Sequence, residues 1–241
     1  MKASTKDFQF KQFTIWGGHS GMPVSTDGVL LGAWATLSGH HHLLDIGTGT
    51  GLLTLMCAQR QPNLTLTGID IDPHAIEAAQ TNFSASPWAD RITLQRHDVI
   101  AFSRDNLAKF DGIICNPPYF NSGEQSALAS RATARHTATL SHPELLRCCG
   151  ELLQDEGRAS FILPSLEAEQ FIEHAVAQQW QLTRLCKVKT TARKNHSRYL
   201  FELQLKGSEH TKTEQSELII HQNEQYSAQF IALTQSFYLK M

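Results

Sequence analysis

From His42 onward, short apolar runs alternate with longer amphipathic stretches, and each run closes on a carboxylate or a glycine-rich turn. Strands are expected near Leu43 to Ile46, Leu64 to Ile69, Ile92 to Gln95, Phe110 to Cys115 and Ala159 to Leu163. Helices are expected between them, near Leu52 to Gln59, Pro73 to Phe83, Pro143 to Leu153 and Leu166 to Gln179. Ser141 and Glu144 are spaced as a capping box, with Pro143 in the first turn of the helix they open. Alternation of this kind predicts an α/β fold, a mostly parallel sheet with helices on both faces.

The ends differ. Phe8 to Ile15 alternates roughly with period two and breaks at Gly17, Gly18 and Gly21, which predicts a short hairpin capping the main body. Asp27 precedes Val29, Leu30, Ala33, Trp34 and Leu37, the spacing of a helix of about ten residues with Asp27 as its N-cap. Beyond the alternating region, Leu182 to Lys189 and Tyr199 to Leu205 predict an antiparallel strand pair at one end of the sheet. The stretch from Ser208 to Glu224 is expected to be an acidic linker, followed by a helix from Ala228 to about Tyr238. One domain is expected: a cap over 1–26, a core over 27–207, and the linker and final helix over 208–241.

Composition adds little until charge is mapped. The 241 residues hold 21 Lys+Arg against 23 Asp+Glu, a net charge of -2, so a broad basic surface gripping any nucleic acid is not expected. Between Glu173 and Glu202, however, there is no acid, while Arg184, Lys187, Lys189, Arg193, Lys194 and Arg198 are basic. That segment is the best nucleic-acid candidate outside the strand-end pocket, with a solvated hairpin as the alternative. Five cysteines without CxxC spacing and the lack of an apolar leader or a long apolar run predict a reducing, cytoplasmic location and no membrane span. His40, His41 and His42 lack metal-ligand spacing, and no metal is expected.

The chemistry concentrates at strand ends. Asp45-Ile-Gly47-Thr48-Gly49-Thr-Gly51 bares backbone to a ligand, although close packing alone can also demand glycine there. An acid entering that turn suits a cationic ligand better than a diphosphate. Asp70, after the next strand, is placed to accept from ribose hydroxyls. Asp72 before Pro73 is the better N-cap, which leaves Asp70 without a structural job. Asp98 follows the third strand at the same edge.

The run Phe110 to Cys115 leads into Asn116-Pro117-Pro118-Tyr119. Two prolines fix two φ angles and hold the Asn side chain and the Pro117 carbonyl in set directions. An exocyclic amine is a poor nucleophile because its lone pair is delocalised. Two acceptors gripping its N–H bonds would favour a tetrahedral nitrogen, while Tyr119 offers a stacking face.

Three acids after three strands, with the glycine turn, resemble the S-adenosylmethionine site of the Rossmann-like class I methyltransferases. That resemblance implies that Asp45 with Gly47, Thr48, Gly49 and Gly51 cradles the methionine end, that Asp70 binds the ribose, and that Asp98, Ile71 and Val99 hold the adenine. The Asn-Pro-Pro-Tyr motif is similar to that of amino-methyltransferases acting on adenine N6, cytosine N4 or protein glutamine. Met22 to Trp34, Ala134 to Thr137 and Phe237 to Leu239 resemble the bacterial tRNA adenine-N6 methyltransferase family that modifies the adenosine 3′ to the anticodon of a valine tRNA. In that family a basic residue and a glycine commonly stand where this chain has Pro23 and Ser25; Thr26 and Asp27 match.

The resemblance implies a tRNA substrate, a catalytic set of Asn116, Pro117, Pro118 and Tyr119, and cofactor contacts from Thr26 and Asn116. It also implies a loop over 120–139 that covers the target nucleoside. Phe120, Arg131, Arg135 and His136 in that loop, with Lys187, Arg193, Lys194 and Arg198, are the candidate RNA contacts, and a monomer is expected. A glutamine or DNA adenine methyltransferase would share the pocket chemistry. The first is disfavoured by the short segment before Asp27, the second by the lack of a separate sequence-reading domain. A nicotinamide oxidoreductase would leave Asn-Pro-Pro-Tyr unexplained, and a non-catalytic RNA-binding module would need no cofactor pocket.

Overall fold

The computed structural model describes residues 5–20, 22–117, 140–205, 207 and 212–240. In chain order the elements are β1 (Phe8–Gln9), β2 (Thr14–Ile15), α1 (Thr26–Trp34), β3 (His42–Ile46), α2 (Leu52–Arg60), β4 (Thr65–Asp70) and α3 (Pro73–Ser84). After a 3-10 turn come β5 (Ile92–Arg96), α4 (Val99–Asp105), β6 (Phe110–Cys115), α5 (His142–Leu152) and β7 (Leu153–Pro164). The chain continues through α6 (Ser165–Ala177), β8 (Trp180–Thr191), β9 (His196–Leu205), β10 (Glu214–Gln222), β11 (Gln225–Tyr226) and α7 (Ala228–Thr234).

Among the described residues nine strands form one sheet in the order β11-β10-β8-β9-β7-β6-β3-β4-β5. β5, β4, β3, β6 and β7 run parallel, as the buried apolar runs predict, and β9 lies antiparallel between β7 and β8. The expected capping box forms: Ser141 and Glu144 satisfy each other's backbone, and Pro143 occupies the first turn of α5. Leu44, Ile113, Phe161 and Phe201 pack with α4, α5 and α6 on one face, while Leu43, Ile114, Ile162 and Leu200 pack with α1 and α2 on the other.

Three expectations are corrected. The segment expected as an acidic linker contains β10, which pairs parallel to β8, so the β8–β9 pair does not end the sheet. Glu214 lies opposite Arg184 and Glu217 opposite Lys187, with ion pairs from Arg184 to Glu214 at 3.6 Å and from Lys189 to Glu217 at 2.9 Å. The basic run and the acidic run are thus neighbouring strands whose charges meet. The α1 N-cap is Ser25, whose Oγ accepts from the Gly28 N–H at 3.1 Å, and Asp27 lies inside the first turn. The third concerns Asp70 and belongs to the site.

Two glycines set where α1 lies. A Cβ on Gly28 would meet Leu52 at 2.9 Å, and one on Gly32 would meet the Met56 sulfur at 2.7 Å. These contacts run in the same order along both helices, so the first turn of α1 stands beside the first turn of α2, directly after the glycine turn. Arg60 adds a hydrogen bond to the Gly32 carbonyl at 2.8 Å. The 8–15 hairpin packs Phe10, Phe13 and Ile15 against α1, α2, α3 and Phe237.

Candidate active site

Four adjacent parallel strands, β6, β3, β4 and β5, deliver the candidate residues to one edge of the sheet. β3 enters the turn through Asp45 and Ile46; Gly47, Gly49 and Gly51 have φ of +70°, +57° and +84°, the left-handed region where a side chain is strained. Both Gly47 and Thr48 donate backbone N–H bonds to the Ile69 carbonyl at 2.9 Å, which ties the turn to β4.

Asp45 is buried. Its Oδ2 accepts from the Thr48 and Thr54 hydroxyls, each at 2.7 Å, and from the Thr54 N–H at 3.2 Å. Its Oδ1 is buried and has no hydrogen-bond partner among the described residues. Burial pushes the carboxyl up from 3.8 to about 6, against the lowering effect of the threonine hydrogen bonds. Thr54 was missed in sequence reasoning; its only signal is a lone hydroxyl residue in the apolar run Leu52 to Met56.

Asp70, expected to have no structural job, has one. Its Oδ2 accepts from Gly49 N–H and its Oδ1 from Asp72 N–H, both at 2.9 Å, so it braces the glycine turn while Asp72 caps α3 through His74 N–H. Burial raises its pKa, and the two backbone donors oppose that rise. Asp98 is likewise engaged, capping α4 through Ile100 N–H at 2.9 Å and Ala101 N–H at 3.2 Å. Ile71 is exposed beside Asp70, whereas Val99 is buried.

On the other side of β3, Cys115 pairs with Ile46. Asn116, half-buried, and Pro117, buried, therefore leave β6 one strand from the entrance to the glycine turn. Burial drives the Cys115 thiol well above its usual pKa, which removes it as a nucleophile beside Asn116. Thr26, the first residue of α1, is exposed near the start of α2. Pro118, Tyr119, Phe120, Arg131, Arg135 and His136 lie outside the described residues.

The buried amide of Asn82 on α3 was also missed. Its Nδ2 donates to the Thr50 carbonyl at 2.8 Å and to the Trp16 carbonyl at 3.1 Å, and its Oδ1 accepts from Trp16 N–H at 2.9 Å. One side chain thereby fastens the N-terminal segment to the glycine turn.

The four remaining RNA candidates divide. The β8–β9 connection projects from the same edge as Asn116, since Arg198 pairs with Pro164 at the end of β7. Arg193 and Lys194 are exposed at its tip. Lys187 is half-buried with its ammonium 5.3 Å from the Tyr199 ring centroid, and Arg198 donates to Asp27 Oδ2 at 2.7 Å.

No group of three or more possible metal ligands occurs among the described residues. No helix there is long and apolar enough to cross a membrane.

A parallel sheet that carries an acid and glycine turn after one strand and Asn-Pro after its neighbour defines a class I methyltransferase fold. A solved structure of a predicted O-methyltransferase from Agrobacterium tumefaciens superposes with TM-score 0.68 at 16% identity, covering 88% of this chain and 96% of that one. The chain belongs to the methyltransferase small domain family, whose profile matches residues 28–158. It is 55% identical over 240 residues to a Vibrio parahaemolyticus protein named tRNA1(Val) (adenine(37)-N6)-methyltransferase, spanning 100% of this chain and 98% of that protein. A Vibrio vulnificus protein of the same name is 56% identical over 237 residues, spanning 98% of this chain and 97% of that protein.

Proposed function

We propose that this protein transfers a methyl group from S-adenosylmethionine to N6 of an adenosine in tRNA, the adenosine at position 37 of tRNA1(Val). The observation that carries the reading is the placement of Asn116-Pro117 one strand from Asp45 and the glycine turn. The names of full-length relatives at about this identity supply the substrate.

The residues present fit the cofactor. Asp45 offers a buried oxygen without a partner among the described residues, suited to an ammonium. The adjoining first turns of α1 and α2 present N–H groups suited to a carboxylate. Asp70 stands at the next strand end for the ribose, with Ile71, Asp98 and Val99 around the adenine. Bound there, S-adenosylmethionine supplies an electrophilic sulfonium methyl.

The chain's own part is to hold the amine. The Asn116 side-chain oxygen and the Pro117 carbonyl accept the two N–H bonds of N6, which localises the lone pair on nitrogen and aims it. With the lone pair held in this way no strong base is needed before transfer, because the proton would be released from the nitrogen to water only afterwards. Pro118 and Tyr119 complete the motif, and Tyr119 is assigned the stacking of the base.

The test is incubation of the protein and labelled cofactor with tRNA lacking the modification, with duplex DNA and with a release-factor protein, followed by digestion. N6-methyladenosine in tRNA supports the reading; label in DNA or glutamine replaces the substrate. Asn116→Ala should lower turnover by at least about 100-fold with cofactor affinity largely retained. Near-normal turnover would remove Asn116 from the mechanism.

A further inference from the structure

Arg198 lies on β9 in the segment whose basic residues point to RNA, yet its side chain turns back to the body of the protein. Its Nε donates to Asp27 Oδ2 at 2.7 Å and its Nη1 to the Ser197 carbonyl at 2.8 Å. Asp27 is 171 residues away in sequence, in the first turn of α1, and its side chain is only 16% exposed. A charge-assisted bond to a mostly buried carboxylate is among the stronger polar contacts and fixes geometry as well as energy. On one side α1 is set by Gly28 and Gly32 against Leu52 and Met56. Arg198 holds its first turn from another side, out of the antiparallel strand.

That turn begins with Thr26, beside the glycine turn and the start of α2. A shift of α1 along α2 would carry Thr26 and the backbone N–H groups near it away from the turn. We propose that Arg198 is a positioning residue for cofactor binding, acting through Asp27 on the first turn of α1, and is not a phosphate contact. The proposal rests on the reading that this sheet edge holds S-adenosylmethionine. It divides the basic segment by role: Arg193 and Lys194, exposed at the tip, are left to face RNA, and Arg198 faces inward.

The test measures two affinities on the full chain. Cofactor binding without RNA is followed by calorimetry for the wild type, R198M, R198K, D27N and D27N/R198M, alongside thermal unfolding. Binding of unmodified tRNA is titrated against salt for the same proteins and for R193M/K194M. R198M and D27N should each weaken cofactor binding by about tenfold while still unfolding cooperatively, and the double variant should be no weaker than either, because the effect on α1 passes through their shared contact. R198K should recover part of the loss. The salt dependence of tRNA binding should match wild type in R198M and flatten in R193M/K194M, by roughly one contact per charge removed.

Unchanged cofactor affinity in R198M with a flattened salt slope would overturn the proposal and return Arg198 to the RNA face. Additive losses in the double variant would overturn it too, since the residues would then act separately. If R198M does not fold, R198K and D27N carry the same comparison. A wild-type protein that binds no S-adenosylmethionine would instead overturn the reading of the site itself.

Discussion

Asp45 is the residue where burial and ligand charge meet. Its folded pKa of about 6 exceeds the ordinary 3.8, so the folded chain holds this proton more tightly than the unfolded one. For this group, stability of the free protein is therefore greatest below the ordinary value and declines as pH rises toward about 6. A cationic ligand reverses the preference by favouring the charged form. Calorimetry should show S-adenosylmethionine affinity approaching a tenfold loss per pH unit below about 6 and a plateau above it. Asp45→Asn should weaken binding and flatten that profile; an unaltered profile in the variant would assign the titration to another group. At this scale the gathering of the acids and glycines at one sheet edge was legible, because each follows an apolar run of strand length. The second task of Asp70 was not, because it depends on backbone N–H groups that only folding brings to it. The same holds for the pairing of Arg198 with Asp27, for which no local pattern exists.

Among elements, those with a strong apolar period were legible: Phe110 to Cys115 is β6 to the residue, and α2, α3, α5 and α6 lie within a few residues of expectation. β10 was not, because only Leu218 is buried in it and its first four residues are exposed. A strand near the sheet's end without an alternating apolar face has no periodic signal; its evidence was the charge complementarity with β8. The seven-residue α4 was too short to show a stripe.

The glycine turn makes a testable distinction between two of its members. A Cβ on Gly51 would lie 2.3 Å from a carbon of the buried Phe83 ring, whereas one on Gly47 would meet nothing within 4 Å. Gly47→Ala should thus carry only backbone strain, about 1–2 kcal/mol, and Gly51→Ala should add overpacking of about 1–3 kcal/mol. Thermal unfolding should rank Gly51→Ala below Gly47→Ala by several degrees, at about 2–4 °C per kcal/mol for a chain of this size. Equal melting temperatures would mean that Phe83 yields without cost.

At the scale of the molecule, the early and late parts of the chain complete one another. Phe10 bridges to Tyr238, Lys11 N–H donates to the Phe237 carbonyl at 2.8 Å, and Phe237 is buried against the hairpin cluster. Phe237→Ala should cost about 3–5 kcal/mol, read as a fall in the urea midpoint. Its additional mark should appear at a distance, as faster amide exchange in the 8–15 hairpin. Protection there equal to wild type would show that α1, α2 and α3 hold the hairpin without Phe237.

The flank formed by β10 bears on how a polyanion can approach. Residues 214–217 of that strand are exposed and include Glu214 and Glu217, and Glu224 is exposed in the turn that follows. Among the described residues, β11 pairs only with the far end of β10. Carboxylates along an open strand discourage a second chain from adding to the sheet. Glu214 and Glu217 also spend the charges of Arg184 and Lys189, so this part of the basic segment has little left to offer a phosphate. For the proposed tRNA the flank is therefore a blank wall, and the landing narrows to the tip cations and the edge where Asn116 waits.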